Sequence, residues 1–238
     1  LAGHHGDPEA QVAGLLRSLI PSAAQSTRDA LVASFERREF RPRDRLLTQG
    51  AEWEMELVLD GWVAVRRVGR TGRRFTIAVL GPGQLAGTSA AAQSPALGEN
   101  VALTSVTAAV WSGTETRRLV GSDGGLALDF IDRIVLGIGT ILDRYDTVTF
   151  EGAHSRLCKV LLTYSEIAFD NRRPILSRGD LASLVGTSRE MTNRVLRKLE
   201  GEGAVRRTGG LGLELTDKTM LQTTLVGETV PGRRSTIV

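Results

Sequence analysis

Residues 186–203 read GTSREMTNRVLRKLEGEG, and three of them, Arg189, Glu190 and Arg194, suit the reading of base edges. A guanidinium is a planar fork whose two donors match the O6 and N7 acceptors of guanine in the major groove, and a carboxylate accepts from the N4 amino group of cytosine. Met191, Val195 and Leu199 fall at i, i+4 and i+8, so they are expected to pack inward. Arg189, Glu190, Asn193, Arg194 and Arg197 then occupy the other side, with Ser188 at the helix start. A helix that is apolar behind and rich in guanidinium in front suits a major groove. Each residue also has a plainer reading. Glu190 could cap its own helix with Thr187, and Arg197 and Lys198 could form a solvated face or touch phosphates without sequence preference.

The elements that must hold this helix are written around it. Ser177 can cap a preceding helix, Asp180 can reach back as the Glu of a capping box does, and Leu176 and Leu181 sit where a hydrophobic staple needs them. Leu181, Leu184 and Val185 give that helix its buried face. Gly186 stops it and permits a short turn, and Thr187 or Ser188 caps the next helix. Downstream, Val205-Arg206-Arg207 and Leu211-Gly212-Leu213-Glu214-Leu215 flank Gly209-Gly210, the pattern of a β-hairpin wing whose arginines are expected to face phosphates. This is a helix-turn-helix with a wing.

The chain has 238 residues, 41% hydrophobic and 24% charged, enough for one large or two modest domains with a core. The net charge is +3, but its distribution matters more. Residues 121–170 carry four basic and eight acidic side chains, whereas residues 171–218 carry ten basic and six acidic. The positive field is concentrated where the helix-turn-helix lies, which suits a polyanionic partner. A single cysteine, Cys158, forms no disulfide framework, so a reducing, cytoplasmic setting is expected. No run of about 18 apolar residues predicts a membrane span. LAGHHGDPEA lacks the layout of a signal peptide; His4 and His5 are given no role.

Upstream, Val12, Leu15, Leu16, Leu19 and Ile20 predict a helix over 8–20 ended by Pro21, and a second short helix is expected over 27–36. From 38 to 112 short apolar runs (MELVLDG, WVAVRRV, FTIAVLGPG, VALTSVTAAVW) recur between turn signals such as Asp60-Gly61 and Thr71-Gly72, which predicts an antiparallel roll or sandwich. From about 126 to 150 the period changes. Ile131, Ile134, Ile138, Ile141, Tyr145 and Val148 step by three and four, a coiled-coil seam, with Val135 and Leu142 as a second stripe. Two stripes imply two partners: the same helix of a second chain, and the β-domain. The competing reading is a broad core-facing helix of a monomer. Gly137 and Gly139 either allow a close crossing or mark a bend. Residues 154–168 are expected as one amphipathic helix carrying Leu157, Val160, Leu161, Tyr164 and Ala168, followed by a loop at Asn171-Arg172-Arg173-Pro174. Cys158 reads as a small buried residue, and His154 as a polar residue at the helix start.

This order of parts resembles the Crp/Fnr family of bacterial transcription regulators, over about residues 20–218. GTSREMTNRVLRKLEGEG is similar to the family's signature, and Gly50, Gly61, Gly72, Gly83 and Gly87 fall at its turn positions. The resemblance implies an α+β fold: an N-terminal antiparallel β-roll of the cyclic-nucleotide-binding kind over 1–120 with N-terminal helices, a dimerisation helix over 121–151, a winged helix-turn-helix over 152–218, and a tail over 219–238. It implies a homodimer in which Arg189, Glu190 and Arg194 read a palindrome of the form TGTGA-N6-TCACA in double-stranded DNA. RNA polymerase is a candidate further partner.

The departures from the family pattern are in the nucleotide cassette. Its Glu, which binds the ribose hydroxyl, is replaced by Thr88 after Gly87. Its Arg, which binds the cyclic phosphate, is replaced by Ala96, and the next polar position by Leu97. An alignment anchored on Arg156 puts Ile141 and Leu142 where cyclic-AMP binders carry polar contacts to the base. A desolvated phosphate needs a paired cation or a set of donors, and Glu99 is the only charge nearby in sequence. Ordinary cyclic-AMP binding is therefore not expected, and the effector is an unknown small molecule or none. One cysteine excludes an iron–sulfur cluster held within one chain. No metal cluster, nucleophile motif or phosphate loop points to an enzyme. The rival readings are a ligand-binding regulatory or interaction protein whose helix-turn-helix does not read DNA, and a true cyclic-nucleotide-dependent regulator using a rearranged pocket.

Overall fold

The computed structural model describes residues 7–52, 54–92, 94–169, 174–208 and 212–227, the last four of these without their side chains. The chain divides into two compact units, Leu1–Leu142 and Asp143–Val238.

The first unit opens with α1 (Pro8–Leu19) and α2 (Gln25–Ser34). Asp7 caps α1 by accepting from the Glu9 amide at 3.1 Å, and Pro8 takes the first helical position, where no amide is needed. Then come β1 (Glu36–Phe40), β2 (Arg45–Leu47), β3 (Glu54–Asp60), β4 (Val63–Val68), β5 (Arg74–Leu80) and β6 (Leu85–Ala86). A 3-10 turn over Thr88–Ala92 leads to β7 (Glu99–Ala102) and β8 (Val106–Ser112). The second helix thus ends two residues before the expected position. Glu36 belongs to β1, a charged ERREF strand that pairs antiparallel with β8.

The strands form two antiparallel four-stranded sheets, ordered β1-β8-β3-β6 and β2-β7-β4-β5. Alternation on β3 feeds two cores. Val58 faces Val63 and Ala102 of the other sheet, with Ala108 and Val110 beside it. Met55, Leu57 and Leu59 face the helices, packing with Leu16, Leu31 and Trp111. The Trp111 indole donates to the Leu31 carbonyl at 2.9 Å, so the largest buried ring leaves no polar atom unpaired.

Two helices close this unit: α3 (Gly113–Ser122), capped by Ser112, and the long α4 (Gly124–Phe150). The start of α4 grips the α1–α2 connection. Asp129, buried, accepts from the Ser22 and Ala23 amides at 3.0 Å each, Asp123 accepts from Ala24 at 2.8 Å, and Arg133 donates to the Leu19 carbonyl. Gly125 makes this possible, because a Cβ there would lie 2.0 Å from the Ser22 carbonyl oxygen.

Further along, Arg144 donates to the Leu184 carbonyl, but the apolar stripe of α4 is bare. Leu126 and Phe130 are the buried apolar residues of the helix, whereas Ile131, Ile134, Ile138, Ile141, Tyr145 and Val148 all stand exposed. The second stripe is a correction: Val135 is 60% and Leu142 58% exposed, so the β-domain does not cover it. The β-domain is met by the first turns of the helix instead. The helix runs through Gly137 and Gly139 without interruption, and a Cβ at either would meet nothing within 4 Å.

The second unit takes the end of α4, then α5 (Ala153–Thr163), α6 (Ser165–Ala168), α7 (Arg178–Val185), α8 (Arg189–Gly201), β9 (Val205–Arg207), β10 (Leu213–Leu215) and α9 (Lys218–Gly227). The helix expected over 154–168 is two: Tyr164, at φ −111° and ψ 33°, ends α5, and a single further turn follows. Cys158 is fully buried on α5, and His154 lies 3.4 Å from Glu202. α5 packs against α7, α8 and α9. The segment read as a tail therefore begins with a helix, anchored by the fully buried Leu221. The loop at 171–173, the wing turn at 209–211, His4, His5 and the tail beyond 227 lie outside the described residues. No described helix is long and apolar enough to cross a membrane.

Candidate nucleic-acid interface and the altered ligand cassette

α7 begins with a full capping box: the Asp180 amide donates to Ser177 Oγ at 3.2 Å, and the Ser177 amide donates to Asp180 Oδ2 at 2.9 Å. Leu176 and Leu181 are both buried. Gly186 ends the helix at φ 69°, a conformation that suits glycine. The next cap is Ser188 rather than Thr187; its Oγ accepts from the Met191 amide at 3.1 Å. The inward face of α8 is Thr192, Val195, Leu196 and Leu199, with Met191 only half-buried. Thr192 fits a core because its hydroxyl donates to the Ser188 carbonyl at 3.0 Å.

Arg189, Glu190, Asn193, Arg194 and Arg197 are all exposed on α8. Glu190, Asn193, Arg194 and Arg197, with Arg207 of β9, line a recess of about 450 Å³. Glu190 is held below the usual carboxylate range by hydrogen bonds from its own amide and the Ser188 hydroxyl, so it is an acceptor at neutral pH. It does not cap with Thr187, because Ser188 holds that position. Gly179 on α7 makes room for Arg189: a Cβ there would lie 2.9 Å from an Arg189 guanidinium nitrogen. Spacing along α8 alone could not reveal that neighbour.

The wing arginines have carboxylate partners that the sequence did not announce. Arg206 donates from Nε and Nη2 to Glu214 Oε2 at 2.9 and 2.6 Å across the β9–β10 pair. Arg207 donates from Nε to Glu200 Oε2 at 2.6 Å and from its amide to Glu200 Oε1 at 3.1 Å. Both arginines are committed to carboxylates of this chain. Glu200, held below the usual carboxylate range by Arg207, ties the wing to α8, so strand and helix present one surface.

In the β-domain, Gly87 sits at φ 77° where the cassette turns against β3. A Cβ there would lie 2.1 Å from the Glu54 carbonyl oxygen, so the loop cannot approach with any other residue. Thr88 follows, half-buried, and Ala96 is buried with its amide donating to the Ala51 carbonyl at 2.9 Å. Leu97 is 62% exposed. Ile141 and Leu142 are exposed on α4.

The reading of Glu99 as the only nearby charge is corrected. Arg45 Nε and Arg74 Nε lie 3.4 and 3.6 Å from its carboxylate. By alternation along β7, Asn100 and Ala102 face into the roll, so Glu99 lies on the outer face, buried beneath those arginines. The inward polar groups were not foreseen. Asn100 Nδ2 donates to Glu56 Oε2 at 2.7 Å across the two sheets, and Arg38 pairs with Glu54 at 2.7 Å. Burial pushes Glu56 up to about 7, with the Asn100 hydrogen bond opposing. The roll interior near the cassette therefore carries carboxyl groups. No cluster of three or more metal-ligating side chains occurs among the described residues.

Comparison with known proteins agrees with this geometry. Residues 37–123 match the family model for a cyclic nucleotide-binding domain, and residues 155–224 match that for a Crp-like helix-turn-helix domain. A cyclic AMP receptor protein from Thermus thermophilus is 28% identical over 205 residues, covering 82% of this chain and 90% of that protein. Among solved structures, a CRP/FNR-family transcriptional regulator from Thermus thermophilus superposes with a TM-score of 0.69 at 22% identity, covering 82% of this chain and 100% of the other. The c-di-GMP-responsive global regulator CLP of Xanthomonas campestris does so with a TM-score of 0.62 at 21% identity, covering 81% and 99%. A β-roll of the cyclic-nucleotide-binding kind joined to a winged helix-turn-helix defines a DNA-binding transcription regulator. The chain belongs to the Crp/Fnr family.

Proposed function

We propose that two copies of this chain pair through α4 and read a palindrome resembling TGTGA-N6-TCACA, one half-site per α8. Arg189, Glu190 and Arg194 take the base-reading roles, and Asn193 and Arg197 flank them. Ser188 contributes through the cap it provides and through its hydrogen bond to Glu190. The observation that carries this reading is the exposed polar face of α8, backed by a buried apolar face and joined to the wing through Glu200 and Arg207. Pairing is supported by the bare stripe from Ile131 to Val148, which leaves apolar surface in water unless a second helix covers it. RNA polymerase is the further partner for an activating role.

Ordinary cyclic AMP is not the effector in this reading. Thr88, Ala96 and Leu97 offer no cation, and on β3, which pairs with the cassette strand, Glu56 is buried while Arg38 is already held by Glu54 and Glu36. A desolvated phosphate beside carboxylates is unfavourable without compensating donors. Selection of bound sequences from random DNA, with and without cyclic AMP and cyclic-di-GMP, tests operator and effector together. A TGTGA-like palindrome enriched equally with and without cyclic AMP is the expected result. No enriched motif, or one that requires cyclic AMP, would contradict the reading. The c-di-GMP responsiveness of the Xanthomonas campestris relative makes that nucleotide the informative second ligand.

A further inference from the structure

Residues 61–98 contain no Asp or Glu, yet five arginines fall within nine positions of that stretch: Arg66, Arg67, Arg70, Arg73 and Arg74. They lie on the hairpin formed by β4 and β5, far in sequence from the helix-turn-helix. The turn is built to hold its shape. The Gly69 amide donates to the Arg73 carbonyl at 2.8 Å, the Gly72 amide donates to the Gly69 carbonyl at 2.9 Å, and Gly72 takes φ 75°. Gln49 braces the end of β4 from outside, accepting from the Val68 amide at 3.0 Å. Arg45 of β2 adds a sixth guanidinium to the same sheet. Buried Glu99, from the neighbouring strand β7, draws on Arg45 and Arg74. Arg67, Arg70 and Arg73 are exposed, and no ion pair is formed by their side chains among the described residues.

The exposed positions of the hairpin are Arg67, Gly69, Arg70, Thr71, Gly72, Arg73 and Arg74. None is apolar, so the surface lacks the aromatic or aliphatic anchors on which protein–protein interfaces depend. It offers planar guanidinium forks on a stiff turn, which fit phosphate oxygens, with no carboxylate or amide side chain among these positions to complete a base-reading set. We infer that the β4–β5 hairpin is a second, sequence-independent contact to the phosphate backbone of duplex DNA lying outside the sequence read by α8. This rests on the chain being a DNA-binding regulator, and the test separates the two.

The test measures affinity against salt concentration for the intact chain and for the triple variant Arg67→Gln, Arg70→Gln, Arg73→Gln. Three duplexes are used: one holding only the selected palindrome, one with long flanks, and a long scrambled duplex. Each phosphate neutralised adds roughly 0.9 to the log–log salt slope, so three contacts from each of the two paired chains steepen it by about 5. The wild type is expected to show that extra slope on both long duplexes, and the triple variant to lose it while binding the short palindrome unchanged. A variant with wild-type slopes on the long duplexes, or a wild type whose slope is independent of length, would overturn the hairpin contact. Loss of preference for the palindrome over the scrambled duplex in the wild type would overturn base reading by α8 instead, and the scrambled arm would still decide the hairpin.

Discussion

Single residues carry the proposed discrimination on α8 and the electrostatic character of the roll interior. Arg189 is exposed at the start of α8, with its guanidinium lying beside Gly179 of α7. Replacing it with alanine is expected to cost about 1–3 kcal/mol of binding and to relax preference at one guanine. Titration against operators altered at that base pair is the check; unchanged preference would remove Arg189 from base reading. Glu56 makes a different prediction. Its carboxyl has an ordinary value of 4.5 and is pushed by burial up to about 7 in the fold. The folded state therefore holds the proton more tightly than the unfolded state. This contribution is fully present below about pH 4.5 and is lost as pH rises to about 7, an expected fall of roughly 3 kcal/mol. Urea unfolding across that range should show the decline, and Glu56→Gln should flatten it, because a neutral amide keeps an oxygen for Asn100 without a charge to bury. An identical slope in the variant would contradict the assignment.

At the scale of elements, the parts legible in the sequence are those specified locally. Ser177, Asp180 and Gly186 mark the ends of α7 by their own hydrogen-bonding and conformational preferences, so the helix-turn-helix could be read without knowing anything distant. The stripe on α4 was legible for the same reason. The parts that were not legible depend on partners far along the chain. The Asn100–Glu56 bond joins residues 44 apart on different sheets, and an EMELVLD strand looks half solvated until both its faces are covered. The wing arginines meet carboxylates that only the folded hairpin and α8 bring near. The charged strand β1 shows no apolar alternation because its identity comes from pairing with β8, so Glu36 reads as the end of the preceding helix. The choice of Ser188 over Thr187 is a difference of one residue that local preference does not resolve. A charge placed in the seam tests α4 directly. Ile138→Glu should weaken both self-association and operator binding, read by light scattering and by titration. A variant that keeps the wild-type mass would show that the seam does not hold two chains together.

At the scale of the whole molecule, a β-roll with a reworked cassette and a winged helix-turn-helix are carried on one chain, with the long helix α4 continuing from the first unit into the second. Gly87 lets the loop approach β3, and in the proposed correspondence with the family's cassette the two charged positions fall on Thr88 and Ala96 and the polar one on Leu97. Under the pairing proposed through α4, such a chain is expected to recognise its operator without cyclic AMP, and to do so symmetrically, because two copies would present identical α8 helices. The most direct test is to measure the affinity of the intact protein for the selected operator and for duplexes in which each base pair is replaced in turn. Losses of about 1–3 kcal/mol are expected at a few positions, mirrored about the centre of the site and unaltered by added cyclic AMP. A flat profile, or losses confined to one half-site, would contradict that expectation.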